Sequence, residues 1–90
     1  MTVRYARASA VEAAPMQGET ILFNSQTNTF CVLNASAAVV WNVLETPQDA
    51  DVLAARICEA FDGVTVEQAR QDVEKALKEF ASLSLVVTEN

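Results

Sequence analysis

Cys31 and Cys58 are the two thiols of this 90-residue chain and, by type, its strongest nucleophiles. A thiol attacks as the thiolate and needs a base or a cation beside it. The chain has no His, so neither a Cys-His pair nor a Ser-His-Asp arrangement can be built. The commonest general base near neutral pH is missing as well. The two cysteines stand far apart, in no C-x-x-C pair, and lack the imidazole partners of a typical zinc site. They read as free, buried or half-buried thiols of a reducing compartment. A disulfide is open to them only if folding brings their Cα atoms close.

The remaining chemistry-bearing types are thin. Asp49, Asp51, Asp62, Glu74 and Glu79 are the candidate acids, but they fall at helix starts and on solvated helix faces. Capping, dipole compensation and solubility account for them there. Gly18 and Gly63 are the only glycines, so no phosphate-cradling loop exists. A phosphopantetheine carrier needs a Ser in an Asp-Ser-Leu setting at a helix start; Ser36 (Asn-Ala-Ser-Ala) and Ser82 (Ala-Ser-Leu-Ser) do not match. The sequence thus implies no catalytic residue, no metal and no cofactor. Trp41, the single Trp, is either the core anchor of a helix or a partner-binding hot spot.

The elements that would position any site follow from patterning. Residues 1–9 read as a flexible N-terminus, and residues 10–90 as one domain. A short strand is expected over Ala10–Ala14, ending at Pro15, with a turn at Gln17-Gly18. Thr20–Phe23 and Thr29–Leu33 are rich in β-formers and flank the turn-forming Asn24–Asn28, which predicts a hairpin. Asn34 or Ser36 can cap a helix in which Ala37, Ala38, Val40, Trp41 and Leu44 recur at helical spacing and which ends near Glu45. Thr46-Pro47-Gln48-Asp49 resembles a capping box for a second helix carrying Val52, Leu53, Ile57 and Phe61, with Gly63 as its stop. Thr65 with Gln68 forms another capping box, for a third helix running to about Ser82 with Val66, Ala69, Val73, Ala76, Leu77 and Phe80 as its apolar stripe. A short final strand is expected over Leu85–Val87. The fold class expected is α+β and winged helix-turn-helix-like: an N-terminal β-hairpin or small antiparallel sheet packed on three helices.

Bulk properties narrow the partners. Six basic residues against twelve acidic ones leave a net charge of −6. Polyanion binding needs clustered Lys and Arg, so nucleic acid and an anionic membrane surface are poor partners. No apolar run reaches a membrane span, and the N-terminus has no signal-peptide apolar region, which makes the cytoplasm the expected compartment.

The run Leu33-Asn34-Ala35-Ser36-Ala37-Ala38-Val39-Val40-Trp41 resembles the L-N-x-[ST]-A-x-x-[IVL]-W signature of the PqqD-like family. Leu53–Ile57 with Phe61 is similar to that family's second helix. Val73, Leu77, Phe80, Leu83 and Leu85-Val86 are similar to its closing helix and terminal Leu-[IV] pattern. One departure is Ser84, where the family has Gly before the last Leu-Val, which leaves the geometry of the final turn open.

The resemblance implies a recognition element for ribosomally made, modified peptides. Such a domain binds a precursor's leader peptide and brings it to a modifying enzyme, often a radical SAM protein. It also implies where the leader goes: between the strand Thr29–Leu33 and the helix Val66–Ser82. An unpaired strand edge offers N–H and C=O groups that a disordered peptide can complete. Thr29, Phe30, Cys31, Val32 and Leu33 would supply the ladder and part of the pocket. Val73 and Leu77 would form an apolar floor, and Arg70, Glu74 and Lys78, one turn apart, would read leader charge. Each has a plainer reading, as core or as a solvated stripe of i,i+4 pairs. Exposed edges also pair with each other, so a homodimer stays open. The competing classes are a winged-helix DNA-binding regulator, opposed by the charge, and a structural subunit of an enzyme complex.

Overall fold

The computed structural model describes residues 3–89. It is an α+β fold of three helices and two three-stranded antiparallel sheets. Strands β1 (Arg4–Arg7), β2 (Val11–Met16), β3 (Glu19–Asn24) and β4 (Thr29–Leu33) precede helix α1 (Ala35–Val43). Then come β5 (Gln48–Asp49), α2 (Ala50–Ala60), α3 (Val66–Ser82) and β6 (Val86–Glu89). No helix among the described residues is long and apolar enough to cross a membrane.

Two departures from the sequence-based expectation concern the N-terminal segment and the sheets. Within the stretch expected to be flexible, Arg4–Arg7 form the central strand of the sheet β5-β1-β6, paired with Gln48–Asp49 on one side and Val86–Glu89 on the other. Met1 and Thr2 lie outside the described residues. The expected first strand and hairpin are both present, as the three-stranded meander β2-β3-β4, but the first strand does not stop at Pro15 and runs through it to Met16. Pro is admissible there because β2 is an edge strand and needs one ladder donor fewer. Gln17 and Gly18 both take positive φ (51° and 84°), as a two-residue hairpin turn matched to strand twist requires.

The helix starts follow their capping chemistry. Asn34 caps α1, its Oδ1 accepting from the Ala37 amide at 2.8 Å. Thr65 and Gln68 form the reciprocal capping box of α3. The start of α2 is displaced from the expected Thr46-Pro47. Gln48 and Asp49 are drawn into pairing with Tyr5 and Arg4, and Asp49 caps the helix by accepting from the Val52 amide at 2.9 Å. Ser84, at φ 59°, ends α3: its amide donates to the Ala81 carbonyl (3.1 Å) and the Leu85 amide to the Phe80 carbonyl (2.8 Å). This is a Schellman stop with Ser in the left-handed position that Gly prefers.

The core lies between the β2-β3-β4 sheet and the helices. Leu22, Cys31 and Leu33 meet Val40, Trp41 and Leu44 of α1, Leu53 and Ile57 of α2, and Ala69, Val73, Ala76, Leu77 and Phe80 of α3. Trp41 is buried edge-on against Phe80, ring centroids 5.8 Å apart, which makes it an anchor of the core. Two polar ties fasten the periphery. Arg7 donates from Nε (3.1 Å) and Nη2 to the Trp41 carbonyl and lies 4.6 Å from the centroid of the Trp41 ring. It thereby brings a cation to the end of a helix that has no basic residue in its last turn. Buried Asn24 donates to the Ser84 carbonyl (2.7 Å) and accepts from the Gln26 and Thr27 amides, joining the β3–β4 loop to the end of α3.

Candidate functional site

Alternation along β4 decides which of its side chains face the helices. Cys31 and Leu33 point into the core, while Phe30 and Val32 point out. On its backbone edges β4 pairs with β3 on one side; among the described residues no strand pairs with the other. That edge carries main-chain donors and acceptors open to another chain.

The end of α3 holds β4 in place at two points. Thr29 Oγ1 donates to the Leu83 carbonyl at 3.2 Å, and the Cys31 thiol donates to Glu79 Oε1 at 3.3 Å. Beside the second contact lies a recess of about 80 Å³. Its walls are Cys31 and Val32 of β4, the start of α1 around Ser36 and Ala37, and the α3 row Asp72, Lys75, Ala76 and Glu79. The site is therefore an unpaired strand edge, a helix flank with two carboxylates and one ammonium, and a second helix start closing one end.

The surroundings of Cys31 disfavour its thiolate. Burial raises its pKa, the hydrogen bond to Glu79 raises it further, and the Glu79 charge adds to both, bringing it from 9.0 to about 11. Cys31 therefore acts as a neutral donor that ties β4 to α3. Cys58 is likewise free and half-buried. Among the described residues no group of three or more His, Cys, Asp or Glu is placed to hold a metal.

Of the residues expected to form the groove, Thr29 to Leu33 lie together on the open strand. Val73 and Leu77 are 1% and 6% exposed and lie in the core. Arg70 faces α2 and pairs with Asp51 at 3.2 Å, both side chains well exposed. Glu74 and Lys78 line a shallow depression with Tyr5 and Ala50, on the β1 side of α3. The charged row facing β4 is Asp72, Lys75 and Glu79, on the opposite flank of the buried stripe. In the sequence Glu79 stands out only as a carboxylate on a solvated face, and no pattern separates Asp72 and Lys75 from the other charged residues of the helix. The helical wheel places both rows beside the stripe; choosing between them requires knowing on which side β4 packs.

The family model described as coenzyme PQQ synthesis protein D (PqqD) matches residues 19–86. Among solved structures the chain is similar to one described as TbiB1 in complex with the TbiA(beta) leader peptide. That likeness has a TM-score of 0.78 and 25% identity, covering 90% of this chain and 93% of that one. It also shares its fold with one described as lasso peptide synthetase B1 complexed with the leader peptide, with a TM-score of 0.76 and 13% identity, covering 92% of this chain and 96% of that one. Among curated proteins none matches.

Proposed function

Because the chain belongs to the PqqD family, we propose that it is a peptide-recognition element which binds the leader of a ribosomally made precursor and presents it to a modifying enzyme. The observation that carries this reading is the unpaired β4 edge beside α3. Support comes from the similar TbiB1 structure, which contains a leader peptide. The leader extends the sheet next to Thr29–Leu33 and takes affinity from main-chain hydrogen bonds. Asp72, Lys75 and Glu79 read its charge. Val73 and Leu77 contribute by fixing α3 at the right distance from β4, and Arg70, Glu74 and Lys78 stay outside the contact. The domain performs no bond-making step. It works in the cytoplasm, where precursors are synthesised, with a partner enzyme of the kind the family serves, a radical SAM maturase among them.

The test is a titration of the ¹⁵N-labelled protein with a synthetic leader peptide encoded by the precursor gene nearest this one. Amide shifts are expected in 29–33 and along 72–79. Shifts confined to the β5-β1-β6 sheet, or a protein unresponsive to the leader, would discard the assignment.

A further inference from the structure

The β2-β3-β4 sheet has a second face that the groove does not use. Its inner face, with Leu22, Asn24, Cys31 and Leu33, is buried. The pairing register aligns the outward side chains in rows: Glu12, Phe23 and Phe30; Ala14, Ile21 and Val32; Met16 and Glu19. An antiparallel sheet with one face on the core normally turns polar residues outward. Here the outward face is apolar. Phe30 is 67%, Met16 57% and Val32 55% exposed, and Phe23 and Ile21 are only half-buried between them. The Phe23 and Phe30 rings lie 4.8 Å apart. A contiguous exposed apolar patch of this kind marks an interaction surface.

Charge selects the occupant. No Lys or Arg occurs from residue 8 to residue 55, so β2, β3 and β4 carry none. The ionised groups at the ends of the rows are Glu12 and Glu19. A second copy laid face to face would bring four carboxylates together with no cation among them, and an anionic lipid or nucleic acid meets the same repulsion. A protein surface with an apolar centre and a Lys/Arg rim is complementary. Continuity with the groove narrows it further. A leader added to β4 extends this same sheet, so alternate leader side chains emerge on this face beside Phe30 and Val32. A partner seated here touches the domain and its bound leader at once.

We propose that the outer face of the β2-β3-β4 sheet is the docking surface for the peptide-modifying enzyme, through an apolar patch with a basic rim. This rests on the reading given under Proposed function. The enzyme then gains contacts when the leader is in place, which makes the loaded domain the better partner.

The test uses the full chain, the synthetic leader and a peptide-modifying enzyme from the same genome, the maturase. Met16→Arg/Ile21→Thr replaces apolar surface on β2 and β3, away from the open edge. It is expected to weaken maturase binding roughly tenfold, as loss of a central apolar contact does, with the leader Kd unchanged. Glu12→Lys/Glu19→Lys is expected to weaken it too, without altering the leader Kd. For the wild-type protein, unlabelled maturase is expected to shift or broaden the amides of the three rows, a readout independent of how the variants fold. Unchanged maturase affinity in both folded variants, or broadening confined to other faces, overturns the docking surface while leader binding leaves the peptide reading intact. Failure of the wild-type protein to bind leader overturns that reading instead. A concentration-dependent dimer that Met16→Arg/Ile21→Thr abolishes identifies a second copy as the occupant and also overturns the proposal.

Discussion

The two sheets of this small domain have the same strand number and the same antiparallel pairing, yet they are put to opposite use. In β5-β1-β6 the longest strands have four residues, the central strand is paired on both sides, and one edge is a two-residue strand that leads directly into α2. Such short edges offer little to another chain. In β2-β3-β4 the strands have five or six residues, the β4 edge is open and the outer face is apolar. The first sheet gathers the two ends of the described chain and closes the fold. The second leaves main-chain and apolar surface unsatisfied. The difference teaches that open main-chain edge and exposed apolar surface are concentrated on one sheet, so substitutions that loosen the other should change stability without changing leader affinity.

Arg7 gives the largest expected separation. Arg7→Ala removes a charged donor to the Trp41 carbonyl and a cation over the Trp41 ring. Loss of about 2 kcal/mol in unfolding free energy is expected, measured by urea titration, with leader affinity of the folded protein unchanged. A folded variant that binds leader tenfold more weakly would break the division.

Cys31 sharpens the comparison from the other sheet, because its hydrogen bond couples β4 to α3. Its thiol has a folded pKa of about 11 against an ordinary 9.0. The folded state therefore holds this proton more tightly than the unfolded chain does. The stabilisation is complete below pH 9.0 and disappears as pH rises toward 11. Unfolding free energy should fall more steeply over that interval in the wild type than in Cys31→Ser, which retains a donor but does not titrate. Parallel slopes would mean that folding does not raise the Cys31 pKa.

What could be read in advance divides along similar lines. The helices were legible because their signals are local: Asn34 before α1, the Thr65/Gln68 box before α3, and apolar residues at helical spacing. The β2-β3-β4 meander was largely legible from its turn residues and β-formers. Strand β1 was not. Arg4–Arg7 has no strong alternation, and its pairing depends on Val86–Glu89 at the other end of the chain and on a two-residue strand too short to show a period. That same pairing moved the start of α2 from Thr46 to Asp49. The open β4 strand of the site was legible, and its charged row was not. The apolar stripe of α3 has two charged flanks, and a one-dimensional pattern contains no term for the side on which a strand packs.

The two flanks allow a smaller and sharper test. Lys75 faces the recess beside β4, whereas Lys78 faces Tyr5 and Ala50. Lys75→Glu makes the α3 side of the recess wholly acidic and should weaken leader binding roughly two- to fivefold at low salt, less as salt screens it. Lys78→Glu, an identical charge change one turn-fraction away, should leave the leader Kd within about twofold by the same reasoning. Fluorescence anisotropy with a labelled leader measures both. An equal or larger loss in Lys78→Glu would return charge reading to the Arg70, Glu74 and Lys78 row.

The smallest expected effect lies where the two regions join, at Ser84. This residue holds φ 59° while its carbonyl accepts from Asn24 and its amide caps α3. A side chain in the left-handed region costs about 1–2 kcal/mol, and Gly removes that cost but loses more freedom on folding, by roughly 0.5–1 kcal/mol. Ser84→Gly should therefore stabilise the fold by about 0.5–1 kcal/mol, seen as a raised urea midpoint with an unchanged slope. The hydrogen bonds at this turn are all main-chain or from Asn24, so the substitution deletes none of them. Leader affinity should not move, since the turn lies beyond Leu83 at the far end of β4's contact with α3. A variant that is destabilised would show that the chain sets this turn by the Ser side chain and not by the Schellman geometry of its backbone.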